Sequence, residues 1–181
     1  PSRHQRCVKR QAYVQAARWD RGETAPKQLN SGLLILSDYP IAGIDRMAFP
    51  DFACAGFDCL ANKGVLIAHL AVPGFDRPVS IVNTHLNARK AAGVAIGRSQ
   101  RAFDRQAGLL ADFVRAHVPA GQPMILGGDL NIGGDRNRIH AFFTRWARAG
   151  MGFVAAHLGG ARRALADSLP SDAGTHRDLE Q

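Results

Sequence analysis

Aromatic residues are scarce in this 181-residue chain, at 7% with two tryptophans and two tyrosines, and cysteine occurs only three times. So thin a cysteine supply excludes a small domain built on disulfides. No second pair of Cys or His stands at metal-site spacing, which argues against zinc. No apolar run approaches the ~18 residues of a membrane span, and the first residues lack the charged, apolar and small-residue order of a signal peptide. Internal repeats and a second domain are missing too. Acidic residues are outnumbered, 15 against 23 Lys and Arg, leaving a net charge of +8. What remains is 46% apolar, enough for one domain with a real core.

The positive excess is concentrated at the start, where Arg3, Arg6, Lys9, Arg10, Arg18, Arg21 and Lys27 face only Asp20 and Glu23. Residues 1–28 read as a basic, solvated flank, with Val8, Ala12, Ala16 and Trp19 spaced for a weak helix. Such a flank would serve nucleic-acid phosphates or anionic lipid headgroups alike.

The most informative segment is Met124-Ile125-Leu126-Gly127-Gly128-Asp129-Leu130-Asn131. An apolar run stops at two glycines and then presents Asp-x-Asn, so a buried strand delivers polar groups to a rim. The glycines would let backbone approach a ligand closely, and alternation would aim Asp129 and Asn131 to one side. A carboxylate beside an amide suits metal-assisted phosphate chemistry: Asp129 would hold Mg²⁺ or orient water, and Asn131 would donate to a phosphate oxygen. The same residues also make good turn chemistry. A second β-branched run, Val79-Ser80-Ile81-Val82-Asn83-Thr84-His85-Leu86-Asn87, ends in His85 and Asn87. His85 is a candidate proton donor or phosphate contact. Ser31 to Ile41 repeats the pattern of strand then turn, and Leu60 to Ala68 sets Lys63 and Gly64 at a strand start.

Taken in order, Ser-Gly-Leu-Leu-Ile-Leu-Ser with Pro-Ile (31–41), Asn-Lys-Gly-Val (62–65), Asn-Thr-His-Leu (83–86) and Gly-Gly-Asp-Leu-Asn (127–131) resemble the endonuclease/exonuclease/phosphatase superfamily. Asn-Lys-Gly-Val followed by Thr-His-Leu-Asn is most similar to its neutral sphingomyelinase branch, which includes secreted bacterial enzymes. The resemblance spans roughly residues 29–145. It implies an α/β fold, a four-layer α/β sandwich of two mixed sheets packed face to face and flanked by helices, incomplete in this chain, with 29–181 a partial domain. It also implies hydrolysis of a phosphodiester with Mg²⁺, or Mn²⁺ in its place. In those terms Asp129 and Asn131 match the pair that positions water and stabilises the transition state. His85 matches the phosphate-contacting or leaving-group-protonating His, and Lys63 a cation near the substrate phosphate. Asn87 would face the same cleft or be a plain loop residue.

The family's first-strand Asn, its metal-binding Glu and its C-terminal Asp-His pair have no match here. Ser171-Asp172 and His176 are separated and lack a preceding apolar strand. The chain opens at Pro1 and closes at Glu180-Gln181, so it reads as an internal fragment. The chief metal ligand is then expected outside it, with Asp129 the one candidate within. Secreted and cytoplasmic locations both stay open.

Strands are expected near 32–37, 64–70, 79–85 and 123–129, with a hairpin around Pro73-Gly74. Phe103, Ala107, Leu110 and Val114 recur at helical spacing within Arg98–His117, and Pro119 and Gly121 stop that helix. A second helix over Asn137–Ala149 carries Ile139, Phe142, Phe143 and Trp146 inward. Residues 42–62 read as a long loop whose Phe49, Phe52 and Phe57 either touch a lipid surface or lie buried. Cys54 and Cys59 flank Ala-Gly-Phe-Asp, spaced for a short disulfide in an oxidising compartment or for two free thiols in a reducing one, with Cys7 unpaired. His117, His140, His157 and His176 read as surface or helix-end residues. From Gly159 onward pattern fades. Three functions compete: a phospholipase C acting on sphingomyelin with peripheral membrane contact, a DNase-like nuclease acting on nucleic acid or a phosphatase of the same superfamily, and a binding remnant that turns over no substrate.

Overall fold

The computed structural model describes residues 10–152. Cys7, Val8, His157, His176 and the stretch from Gly159 onward lie outside them. The chain forms one mixed four-stranded sheet in the order β1-β2-β3-β4: β1 is Ile41–Ala48, β2 Gly64–Leu70, β3 Val79–His85 and β4 Met124–Asp129. β1, β2 and β3 are antiparallel neighbours, and β3 pairs with β4 in parallel. Two helices, α1 (Ile96–His117) and α2 (Arg136–Arg148), pack together on one face. This is an α/β fold, and its described part supplies one of the sandwich's two sheets.

Each element follows from its residues. Along β3, Val82 and Thr84 are buried while Ile81, Asn83 and His85 are partly open, the period of a half-covered strand. The 71–78 link turns at Gly74, whose φ of +86° suits glycine. In α1, Phe103, Ala107, Leu110 and Val114 are fully buried and meet Val65, Ile67 and Val82 from the sheet. The crossover helix covers that face because β3 and β4 are parallel and need a long connection. α2 opens on the Asp135 carboxylate, which accepts the Arg138 N–H at 3.1 Å. It buries Ile139, Phe142 and Trp146, with Phe143 partly covered, and gives way at Gly150, φ +75°.

Among the described residues the opposite face is largely uncovered. Ile44 and Ile125 are 59% and 60% exposed there. Residues 32–37, expected as a strand, do not join the sheet. The edge of β2 is taken instead by β1, which starts directly after Pro40 and falls almost wholly in the 42–62 stretch expected as a loop. Burial alternates along both stretches, but Pro40 separates them and only the second enters the ladder. Leu34 and Leu36 are exposed, and the Leu34 carbonyl accepts from Asn83 Nδ2 on the open face. Asp45 of β1 binds the edge to the body, lying 2.9 Å from His69 Nε2 and 3.0 Å from His117 Nδ1.

The remainder of the expected loop forms two short 3-10 turns, Asp51–Ala53 and Gly56–Leu60, joined by a Cys54–Cys59 disulfide. Phe49 lies in the core, Phe52 lies under the Arg10 guanidinium at 3.7 Å, and Phe57 is exposed. Residues 10–28 contribute to the packing as well. Tyr13, rather than Ala12 or Trp19, is the anchor: its ring sits between Arg98 and Arg105 at 4.1 and 3.9 Å, and its hydroxyl donates to the Cys54 carbonyl. Glu23 accepts from Arg98 Nε at 2.6 Å and from the Gly56 amide at 2.7 Å. Trp19 stays 82% exposed. No helix among the described residues is long and apolar enough to cross a membrane.

Candidate active site

Strands β3 and β4 run side by side and end together, so their last residues, His85 and Asp129, are register partners. Both fall on the open face's side of the pleat and reach its rim. His85 Nε2 is 3.5 Å from Asp129 Oδ2, with side chains 33% and 61% exposed. An imidazole and a carboxylate at this spacing, open to solvent, can hold and pass a proton. Asn131 follows in a left-handed conformation, φ 49°, so its side chain does not continue the strand's alternation. Its amide donates to Asp129 Oδ1 at 2.9 Å, and its Nδ2 turns back to the Leu86 carbonyl at 2.8 Å. The tight turn orients the Asp129 carboxylate from within its own loop.

The two glycines differ. A Cβ at Gly128, φ +111°, would stand 2.1 Å from the Thr84 carbonyl oxygen, whereas one at Gly127 would meet nothing within 4 Å. The close approach at Gly128 is to strand β3, and it brings Asp129 beside His85.

Lys63 and Asn87 are close by in sequence terms but face inward. Lys63 is 5% exposed, and its Nζ donates to Asp58 Oδ2 at 2.9 Å and to the Leu86 carbonyl at 3.0 Å. Asn87 is fully buried: its Oδ1 accepts the Ala55 N–H and its Nδ2 donates to the Ala88 carbonyl. The structure brings His85, Asp129 and Asn131 together at the rim and sets Lys63 and Asn87 beneath it, where their polar heads are occupied. The reason is local: the chain exits β3 by folding under the disulfide loop, and these heads satisfy backbone groups buried by that turn.

Beside the His–Asp pair lies a groove of about 700 Å³ between the two strand-exit loops. It is lined by Arg89 and Lys90 on one wall, Gly133, Gly134 and Asp135 on the other, with Asp129 and Asn131 at the base. Arg89 pairs with Asp135 at 2.6 Å. Among the described residues no three His, Cys, Asp or Glu side chains converge as a metal site. Magnesium demands near-ideal octahedral oxygen coordination, and Asp129 offers one carboxylate whose Oδ1 already accepts from Asn131. The donors present do not by themselves fit that ion.

Three supports escaped the sequence reading. Arg138 is fully buried, and burial pulls its pKa below the ordinary arginine value while Asp135 opposes that pull. Gln106 accepts the Asn87 N–H at 2.6 Å from the inner face of α1. Asp58 accepts from the Ala88 amide as well as from Lys63. The signal for the first two was a polar residue on an otherwise apolar helical stripe: Arg138 with Phe142 and Trp146, Gln106 with Phe103 and Leu110.

The mixed sheet with helices on one face is an α/β fold, and its likeness to solved structures makes that fold phosphodiesterase-like. Bacterial sphingomyelinases have this fold. Beta toxin from Staphylococcus aureus, in a form with bound magnesium ions, matches 65% of this chain at 24% identity with a TM-score of 0.57. Sphingomyelinase C from Streptomyces griseocarneus matches 61% at 27% identity and a TM-score of 0.53, and SmcL 72% at 22% and 0.61. The match covers 39%, 36% and 43% of those three chains, respectively. No protein-family model matches the sequence, and no curated protein sequence does either.

Proposed function

We propose that this chain carries the phosphate-handling strand ends of a magnesium-dependent phosphodiester hydrolase of the sphingomyelinase, phospholipase C-like type. The observation that carries the reading is the register pairing of His85 with Asp129 at 3.5 Å on the rim of the open face. In this reading Asp129 aligns the attacking water, held in orientation by the Asn131 amide. His85 contacts the phosphate or protonates the departing oxygen. Lys63 and Asn87 act from below, keeping the β3 exit in place. Mg²⁺ would supply charge neutralisation at the phosphate, with donors beyond the described residues. The likeness to sphingomyelinases favours a phospholipid headgroup as substrate, met at a membrane surface.

A second reading, a nuclease, is favoured by the cations Arg89 and Lys90 in the groove lining, since positive charge beside the site suits a phosphodiester chain. Sphingomyelin vesicles and supercoiled plasmid, each offered to the protein in Mg²⁺ and again in EDTA, separate the two. Phosphocholine release that EDTA abolishes, and that His85→Ala or Asp129→Ala lowers by more than ~100-fold, supports the lipid reading. Plasmid nicking without lipid turnover replaces it with the nuclease, and turnover of neither substrate overturns both.

A further inference from the structure

Arg138 is a buried cation on the apolar stripe of α2, and among the described residues no carboxylate is hydrogen-bonded to its guanidinium. Its Nη1 donates to the carbonyls of Asn87 and Asn131, each at 2.7 Å, and its Nη2 to the Ala88 carbonyl at 3.3 Å. The Phe103 ring lies 4.5 Å from its guanidinium carbon. Two of these carbonyls belong to the loop leaving β3, which carries His85. The third belongs to the turn leaving β4, which orients Asp129. We infer that Arg138 is the positioning residue of the proposed site, a fork that spans the two strand exits and fixes the separation of His85 and Asp129. The inference rests on the phosphodiesterase reading for its catalytic consequence alone.

The choice of side chain supports a spanning role over simple filling. Packing alone would be served better by an apolar residue, because a buried charge carries a desolvation cost that a methionine avoids. A lysine ammonium is a compact charge at the tip of a flexible stem. The guanidinium instead presents several N–H groups in a rigid plane and so reaches acceptors on two chain segments at once. The carbonyl it holds at Asn131 is that of the left-handed residue whose N–H binds Asp129 Oδ1. The two groups flank the same α-carbon, so shifting Asn131 shifts the carboxylate. A parallel tie runs outside the fork, from the α2 N-cap Asp135 to Arg89 in the β3 exit loop.

The test compares the protein with its Arg138→Lys and Arg138→Met variants by thermal melting, by residue-level amide hydrogen exchange, and by steady-state hydrolysis of bis(4-nitrophenyl) phosphate in Mg²⁺. Arg138→Lys is expected to melt cooperatively. Exchange should accelerate about tenfold at the Leu86 and Asn131 amides, which donate to Asp129, while Ile67 and Val82 stay protected. In the same variant kcat should fall about tenfold with KM little changed. Arg138→Met, which fills the space without donors, should show the same local pattern more strongly. Folded variants with wild-type exchange at Leu86 and Asn131 overturn the inference, as does acceleration spread evenly over the whole sheet, which would mark a packing role. Absence of hydrolysis by the wild-type protein would count against the phosphodiesterase reading, and the exchange pattern would still decide the part played by Arg138.

Discussion

Lys63 and Asn131 share one acceptor. The Lys63 ammonium and the Asn131 side-chain amide both donate to the Leu86 carbonyl at the β3 exit, at 3.0 and 2.8 Å. A lysine at the start of β2 is thereby one peptide group away from the turn that orients Asp129, although it does not reach the rim itself. From Asp58 through Lys63 to Leu86 and Asn131, a continuous line of hydrogen bonds runs between the disulfide loop and the site.

Replacing Lys63 by methionine should therefore act first on stability. The Lys63 and Asp58 side chains are 6% and 14% exposed, so removing the cation leaves a buried carboxylate short of a partner. A loss of about 3 kcal/mol is expected, read as a shift of the urea midpoint at unchanged slope. Unchanged stability with a raised KM would instead put the ammonium on the substrate phosphate.

Acid should loosen the N-terminal strap. Burial pushes the Glu23 pKa up, but the Arg98 guanidinium and the amides of Gly56 and Arg18 together outweigh it, and the net shift is below the ordinary glutamate value. A depressed folded-state pKa means that stability is present above the unfolded value and is lost as pH falls through the folded one. The wild type should accordingly lose melting temperature between about pH 5 and pH 3, and Glu23→Gln should lose less over the same range from a lower starting point. Parallel acid limbs for the two proteins would remove Glu23 from the account.

Reduction should destabilise the 54–60 turn without unfolding the sheet. The Cys54–Cys59 bridge closes a short loop, for which chain entropy gives about 2 kcal/mol. The loop sets Asp58 against Lys63 and Ala88, so faster exchange at the Ala88 amide is expected on adding reductant or in a Cys54→Ser, Cys59→Ser variant. Identical melting with and without reductant would show that the bridge adds nothing.

The stripe of Phe103, Ala107, Leu110 and Val114 and the apolar runs of β2, β3 and β4 were legible in the sequence, because burial imposes a pattern on the chain. His85 and Asp129 were legible as residue types at strand ends, and the parallel register of β3 and β4 then sets them opposite one another. Residues 32–37 and 41–48 show the limit: the first is an apolar run that reads as a strand and the second has no clear period, yet it is the second that finds the free edge of β2, a non-local event. Lys63 and Asn87 show another. Chain position sets them beside the strand ends, but whether a polar head turns to solvent or to a buried carbonyl depends on which backbone groups the exit loops strand without partners. Arg138 marks itself only as a charge on an apolar stripe, and Asp58 not at all, because the backbone atoms they hold belong to distant segments.

The adjacent glycines of β4 give a controlled comparison of a required and a permissive position. Gly128 has φ +111° and lies against β3, where an added methyl group would stand 2.1 Å from the Thr84 oxygen and 2.6 Å from Asn83 Oδ1. Relief requires β4 to move away from β3, which parts Asp129 from His85. Gly127 points into open space. Gly128→Ala should cost about 3 kcal/mol or more, from the strained backbone and the clash together, and should abolish hydrolysis in the part of the population that stays folded. Gly127→Ala should stay within about 1 kcal/mol of the wild type and keep its activity. Measured by urea unfolding and by phosphodiester turnover side by side, equal effects at the two positions would mean that the β3–β4 separation does not govern the His85–Asp129 pair.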